Sequence, residues 1–311
     1  MPLDQLLPMF VTIDDFCKDF QHSHLICLPS TSQNKTCRNR KARLSPSEII
    51  TILVSFHQSG FRTFKAFYTQ CVLQHWTHLF PGLVSYNRFI ELSQRCGVLL
   101  LLFVKYRGLG NCTGISFIDS TVVRVCHNKR IKRNKVFRGV ATTSRSTMGW
   151  FHGFKLHLII NDKGEILDFY LTKANVDDRN VKVVMSMSQD LFGYLVGDKG
   201  YISPTLSALL NDNGIHLLTQ VRRNMKEQAL SNEERILLRK RSVIETVNDE
   251  LKNICQLEHT RHRSINGFLL NTLSALAAYS FFTKKPSITP IVEETNPEKQ
   301  AQFKNQLLLA A

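Results

Sequence analysis

None of the 8 cysteines forms a Cys-x-x-Cys pair, so the spacing of a zinc ribbon or finger is missing. Cys17, Cys27 and Cys37 with His22 and His24 do not match known zinc loops either. Disulfide frameworks belong to short secreted chains, and this chain has 311 residues; reduced thiols are expected. Long apolar runs are also missing. The longest, Val98 to Val104, is far short of the roughly 20 residues of a membrane span. Phe268 to Phe282 is apolar but broken by Asn271, Thr272 and Ser274, which fits a buried helix. The opening MPLDQLLPMF has no early positive charge and carries Asp4, unlike a secretory signal. A cytoplasmic protein without a membrane partner is the expectation. There is no internal repeat and no low-complexity tract. No Ser-His or Cys-His arrangement stands out, which argues against a metal-independent hydrolase.

Acids are scarce beside bases: 25 Asp and Glu against 40 Lys and Arg, a net charge of +15. An excess of this size favours a polyanionic partner, of which nucleic acid is the commonest. Residues 1–110 and 111–223 carry +6 and +7, and residues 224–311 only +2. The excess is therefore not a basic tail. Apolar residues at 43% and charged residues at 21% are near the globular average and exclude a disordered or fibrous chain.

Residues 1–110 read as helical. Ser45-Pro46-Ser47-Glu48 is a capping box with Pro at the first helical position. Ile49, Ile50, Leu53 and Val54 follow at helical spacing, and Gly60 closes the segment. A second helix starts near Thr63, with Phe64, Phe67 and Tyr68 on one face. A third follows Ser85, with Phe89, Leu92 and Cys96. Lys35 to Arg43 holds five positive charges in nine residues, so a helical module gripping DNA through its phosphates is expected.

From residue 111 the period changes. Ile115 to Val123 reads as a buried strand, 151–160 as a second and 165–172 as a third, joined to the second through the turn Asn161-Asp162-Lys163-Gly164. Asp177 or Asp178 is expected to cap a helix over Val181 to Met187. Leu195 to Asp198 ends a fourth strand. Ser203-Pro204 opens a helix that stops at Asn213-Gly214, and Ile215 to Val221 is a fifth strand. A long helix is expected from about Asn232 to Leu257. Three antiparallel strands followed by alternating units predict a mixed α/β sheet with helices on its faces. The expected division is 1–110 helical, 111–285 catalytic and 286–311 a loose tail.

Three acids invite chemistry. Asp119 lies inside an apolar strand, where an ionised carboxylate is costly unless paired or bound to metal. Asp198 sits at a strand's C-terminal end, where ligand sites in open α/β sheets concentrate. Glu245 lies in a helix between Ile244 and Val247. At about 100° per residue, Arg241, Glu245, Asn248 and Lys252 share one stripe of that helix. Carboxylate oxygens suit a hard cation such as Mg²⁺. Two such ions about 3.5–4 Å apart clamp the attacking and leaving oxygens of a phosphoryl displacement. The segment 126–150 contributes Lys129, Arg130, Lys132, Arg133, Lys135, Arg138 and Arg145 and no acid, the pattern of a phosphate track. His259-x-x-His262 fits backbone or structural contacts better than a metal pair. Trp76 and Trp150 receive no role.

These residues resemble the acid motifs of bacterial insertion-sequence DDE transposases. The carriers are Ile118-Asp119-Ser120, Gly197-Asp198-Lys199-Gly200-Tyr201 and the stretch Arg239 to Asn253 around Glu245. The segments Gly149 to His157, Asn175 to Arg179 and Glu258 to Ser264 also look like that group. The nearest set is the family called nine-eighty-two, close to the larger Transposase DDE domain family, and the likeness covers roughly 44–290. It implies an RNase H-like catalytic fold behind an N-terminal all-helical DNA-binding region. It implies Asp119, Asp198 and Glu245 as catalytic, metal-binding acids for two Mg²⁺ or Mn²⁺ ions. Arg241, Lys252 and Lys199, with Lys129, Arg130, Lys132, Arg133, Lys135 and Arg138, become the DNA-binding set. Related enzymes carry a tyrosine ahead of the third acid where this chain has Leu238. The implied activity is cleavage and strand transfer on double-stranded DNA, at element ends and target, by a homo-oligomer. A nuclease that cuts without joining, or an inactive repressor that only binds, would share much of this pattern.

Overall fold

The structure is a computed structural model, and it describes residues 3–22, 43–147, 149–221, 225, 230–258 and 262–288. The basic run at 35–42, His259 and residues 289–311 lie outside the described residues.

The first helix, Leu3–His22, packs on the second, Pro46–Phe56. The second helix starts where its capping box places it: Ser45 accepts the Glu48 N–H at 3.1 Å, and Glu48 accepts the Ser45 N–H at 2.6 Å. Ile49, Ile50, Ile52, Leu53, Val54 and Phe56 are all buried. A helix apolar on every side has to lie inside the protein. Thr63 caps the next helical stretch, which widens into a π turn at Phe67–Val72. After Ser85 come Tyr86–Ser93 and Gly97–Phe103. The late helix Ile265–Ser280 packs back onto Pro46–Phe56 and Gly97–Phe103. The helices of residues 3–108 therefore share one continuous apolar core with the sheet, from Leu6 and Ile50 through Phe117 and Leu158 to Tyr279.

Among the described residues the sheet has six strands: β1 (Ile115–Cys126), β2 (Thr142–Ser146), β3 (Gly149–Asn161), β4 (Ile166–Lys173), β5 (Gly193–Gly197) and β6 (Ile215–Thr219). β1 is central. It pairs antiparallel with β3 on one side and parallel with β5 on the other, and β5 pairs parallel with β6. The outer edge of β3 is shared: β2 takes its first part and β4 the rest. The order β4-β3-β1-β5-β6, with β3 alone reversed, is the RNase H-like order.

Alternation along each strand divides the sheet into two faces. Phe117 and Val123 face the helices of the N-terminal region and Ser242–Asp249. Ile118, Ile159 and Leu195 face the opposite layer, made by Val181–Met187 and Pro204–Asp212.

Four expectations change. The segment 126–150, read as the connection between the first two strands, forms a 3₁₀ turn, Asn128–Arg133, and then strand β2. Only one side of β2 is paired, so its alternation is polar and leaves no apolar signal. The long helix is broken at Arg241 into Asn232–Lys240 and Ser242–Asp249, and continues as a π turn, Glu250–Ile254. The cap of Val181–Met187 is Asn180, whose side chain accepts the N–H groups of Lys182 and Val183. Asp178 is engaged elsewhere. Finally, the chain at Pro286–Ile288 is packed: the Ile288 N–H donates to the Asp162 carbonyl at 2.9 Å, and Ile288 is buried.

Candidate active site

Asp119 and Asp198 reach one place by strand pairing. β1 and β5 run parallel with Phe117 opposite Val196. Two residues further on, Asp119 comes level with Asp198, on the same face. Asp198 follows the last residue of β5 and caps the Lys199–Tyr201 turn by accepting the Gly200 N–H at 2.8 Å. The glycines of this segment permit close approach. A Cβ at residue 200 would stand 2.8 Å from Asp198 Oδ1, and one at residue 197 would stand 3.1 Å from the Tyr201 ring.

Asp119 is poorly solvated, and its surroundings oppose its charge. Burial pushes its carboxyl up to about 6. The Ser120 backbone N–H and the Arg241 charge work against that rise, while the charges of Asp198 and Asp178 add to it. The helix Ser242–Asp249 lies over this position. Asn248 Nδ2 donates to Asp119 Oδ2 at 2.9 Å. Lys252, in the π turn that follows, is half-buried. Burial lowers the pKa of its ammonium, and Glu258 and Asp119 pull it back up. Glu258 also pairs with Arg124 at 3.5 Å.

Three of the four stripe residues therefore surround Asp119: Arg241, Asn248 and Lys252. Glu245 does not join them. It is 55% exposed and ion-paired with Arg241 one turn before it. Among the described residues no three of His, Cys, Asp and Glu are close enough to share a metal ion. The structure brings together Asp119 and Asp198 and holds Glu245 to one side.

A hard divalent cation fits the Asp119–Asp198 pair. Every donor there is oxygen, as such ions require. Two buried polar atoms nearby also lack a hydrogen-bond partner: Asn248 Oδ1 and Tyr201 Oη. Tyr201 is 1% exposed, and the charges of Asp119, Asp178 and Asp198 all act on it. A carboxyl pushed up by burial and by neighbouring acids, beside unpaired buried oxygens, is what a cation would relieve.

Asp178, read from sequence as a helix cap, is the main residue that reading missed. It accepts hydrogen bonds from Ser120 Oγ at 2.6 Å and Lys155 Nζ at 3.0 Å. Its neighbour Asp177 accepts the Arg179 N–H at 3.1 Å instead. One signal was available: Asn180 stands immediately before Val181 and is as strong an N-cap residue as aspartate. That left Asp178 without a local duty.

The expected phosphate track is a solvent-facing ridge. Lys129, Arg130, Lys132, Arg133, Lys135, Arg138 and Arg145 are all exposed. Phe137 anchors the ridge by packing edge-on against Phe154 and Phe268. Trp150 stands 62% exposed beside it, its carbonyl held by the Asn128 side chain at 2.7 Å. Trp76, in contrast, is core. Lys199 is exposed next to Asp198. His262 packs edge-on against Phe268.

Residues 109–265 match the family model described as Transposase DDE domain. The chain belongs to the Transposase DDE domain family. The matched span holds Asp119, Asp198 and Glu245, and membership makes the chain a DNA-cleaving, strand-transferring enzyme that works with divalent metal ions. A comparison with curated proteins finds no match. Among solved structures, the DDE chain is similar to piggyBac transposase in a synaptic complex with hairpin DNA, at 10% identity and a TM-score of 0.49, over 91% of this chain and 77% of that one. It is also similar to the Mos1 strand transfer complex, at 12% identity and a TM-score of 0.25, over 85% and 82%. Neither likeness bears on the site, and the strand order carries the fold. No helix among the described residues is long and apolar enough to cross a membrane.

Proposed function

We propose that this chain is the transposase of an insertion sequence, binding the element's ends and cutting and joining DNA with Asp119, Asp198 and Glu245 as its catalytic acids. The observation that carries the reading is that adjacent parallel strands of an RNase H-like sheet bring Asp119 of β1 and Asp198, just past β5, close enough for their charges to act on one another, under a helix whose Asn248, with Arg241 before it, acts on Asp119. Asp119, Asp198 and Glu245 would hold Mg²⁺ or Mn²⁺. When bound, the ions supply positive charge at both the attacking and the leaving oxygen of the phosphodiester.

The chain's own residues do the rest. Asn248 fixes the Asp119 carboxylate by donating to one oxygen. Arg241 and Lys252 line the same hollow, where each can hold a phosphate of the scissile strand. Glu245 starts one helical turn before Asn248, paired with Arg241. A phosphate that engages Arg241 frees Glu245 to turn toward the aspartates. The exposed ridge from Lys129 to Arg145 and Lys199 tracks the duplex beyond the cut. A homo-oligomer would bring two ends and a target together.

The test uses labelled DNA copied from both flanks of the gene, purified protein and Mg²⁺ or Mn²⁺, with Glu245→Gln beside the wild type. Cut ends and ends joined to a second DNA, both lost in the variant, are expected. Cutting without joining would make the protein a nuclease. Binding with neither would make it a repressor. Undiminished cleavage by Glu245→Gln would remove that residue from the site.

A further inference from the structure

Behind Asp119 the same strand carries a second polar assembly. Ser120 is the next residue of β1, so its side chain points to the opposite face of the sheet. Its hydroxyl donates to Asp178 Oδ1 at 2.6 Å. The Lys155 ammonium donates to that same oxygen at 3.0 Å and to the Val176 carbonyl at 2.9 Å. The Lys155 side chain is 15% exposed, and an ammonium so enclosed is costly without an anion. One carboxylate oxygen thus ties three segments: β1 through Ser120, β3 through Lys155, and the 174–180 loop that carries Asp178.

A fourth segment meets them. Tyr201, just past the end of β5, is almost wholly buried, and its hydroxyl has no hydrogen-bond partner among the described residues. It lies within reach of the charges of Asp119, Asp178 and Asp198. The knot therefore abuts both strands that deliver the site's aspartates.

We propose that Asp178 is a positioning residue for the DNA reaction: by accepting from Ser120 and Lys155 it fixes the stretch of β1 that aims Asp119. It acts through Ser120 and β1 and not on the substrate. The proposal rests on Asp119 being a catalytic acid. Small displacements matter at such a site, since a misplacement of about 1 Å can cost about 10²-fold in rate.

The experiment measures cleavage of labelled flank DNA by the full chain with Mn²⁺, comparing wild type, Asp178→Ala, Asp178→Asn, Ser120→Ala and Asp119→Asn. Asp178→Ala is expected to lower kcat about 10²-fold with KM for DNA unchanged within about twofold. Asp178→Asn keeps an acceptor oxygen for both donors and should recover to within about tenfold of wild type. Ser120→Ala, which removes one donor, should lose about fivefold. Terbium luminescence without DNA reads cation binding apart from activity, and its midpoint should move by less than about threefold in Asp178→Asn. If Asp178→Asn is as inactive as Asp178→Ala and also loses terbium binding, Asp178 holds the cation itself and the proposal is overturned. Wild-type cleavage by Ser120→Ala would overturn it too. Should Asp178→Ala fail to fold, the Asn and Ser120 variants still decide. A fully active Asp119→Asn sinks the underlying site instead, whatever the Asp178 variants do.

Discussion

Asp119 and Ser120 are consecutive residues of β1, yet the two faces of the sheet treat them in opposite ways. On the Ser120 face the charged groups are closed by the protein: Ser120 and Lys155 both donate to Asp178, and Lys155 also reaches the Val176 carbonyl. On the Asp119 face the hydrogen bonds from Asn248 and Gly200 leave charge unrelieved. The Asp119 carboxyl is pushed up by burial and by two neighbouring acids, Asn248 Oδ1 has no partner, and Glu245 stands out in solvent against Arg241. Both faces belong to one strand and each packs on an apolar cluster of its own, so the difference is not one of packing quality. On one face the chain closes its own ion pair, although His157 Nδ1 and Tyr201 Oη there have no partner among the described residues. On the proposed function, the other is the face that cation and phosphate would complete.

The largest effects should come from removing what only the Asp119 face supplies. Asp198→Ala and Glu245→Gln should each lower cleavage by about 10³-fold or more, with DNA binding kept. A gel-shift assay beside the cleavage assay checks this, and retained cleavage in either would break the contrast between faces. Next is the apolar floor under the basic ridge. Phe137→Ala removes a ring that is 1% exposed and packs on Phe154 and Phe268, and should cost about 3–4 kcal/mol by urea unfolding.

A smaller effect tests the other face. His157 is fully buried there, its Nε2 against Thr172 Oγ1 at 2.9 Å, and burial pushes its imidazole down to about 4. The unfolded ring takes up a proton near 6.5 while the folded ring resists until about 4. Stability from this group is therefore full above 6.5 and is lost as pH falls toward 4, by at most about 3 kcal/mol. His157→Gln should flatten that part of the stability–pH curve. An unchanged slope would mean that the ring titrates freely. The smallest effect belongs to the ridge: Lys132→Gln with Arg133→Gln should reduce the salt slope of DNA binding by about 2, with little change in melting temperature.

Much of this arrangement was legible in the sequence. Asp119 stood out because an acid inside Ile115 to Val123 breaks an apolar run, and Asp198 because it ends a strand before a glycine turn. The caps Ser45 and Asn213-Gly214 marked helix ends through purely local chemistry. What was not legible depends on partners distant in the chain. Asp178 has the composition of a helix cap, and only the fold brings Ser120, 58 residues away, to its oxygen. The strand β2 has no apolar alternation, because only its pairing with β3 defines it. The stripe of Arg241, Glu245, Asn248 and Lys252 was visible from spacing, but which member turns outward was not. Glu245 is held by Arg241, and the break in the helix falls at Arg241 itself.

The contrast between the faces is tested most directly by the melting temperature of the DNA-free protein with and without Mn²⁺. Wild type and Asp119→Asn are compared at pH 8 and at pH 4. The folded Asp119 carboxyl binds its proton more tightly than the unfolded one, so its contribution is present at low pH and lost as pH rises through about 6. Without metal at pH 8, Asp119→Asn should be the more stable, by at most about 3 kcal/mol, and the gap should close at pH 4. Mn²⁺ should then raise the melting temperature of the wild type and leave the variant unmoved. Equal melting of the two proteins at pH 8, or an equal response to Mn²⁺, would contradict an Asp119 face that waits for a cation.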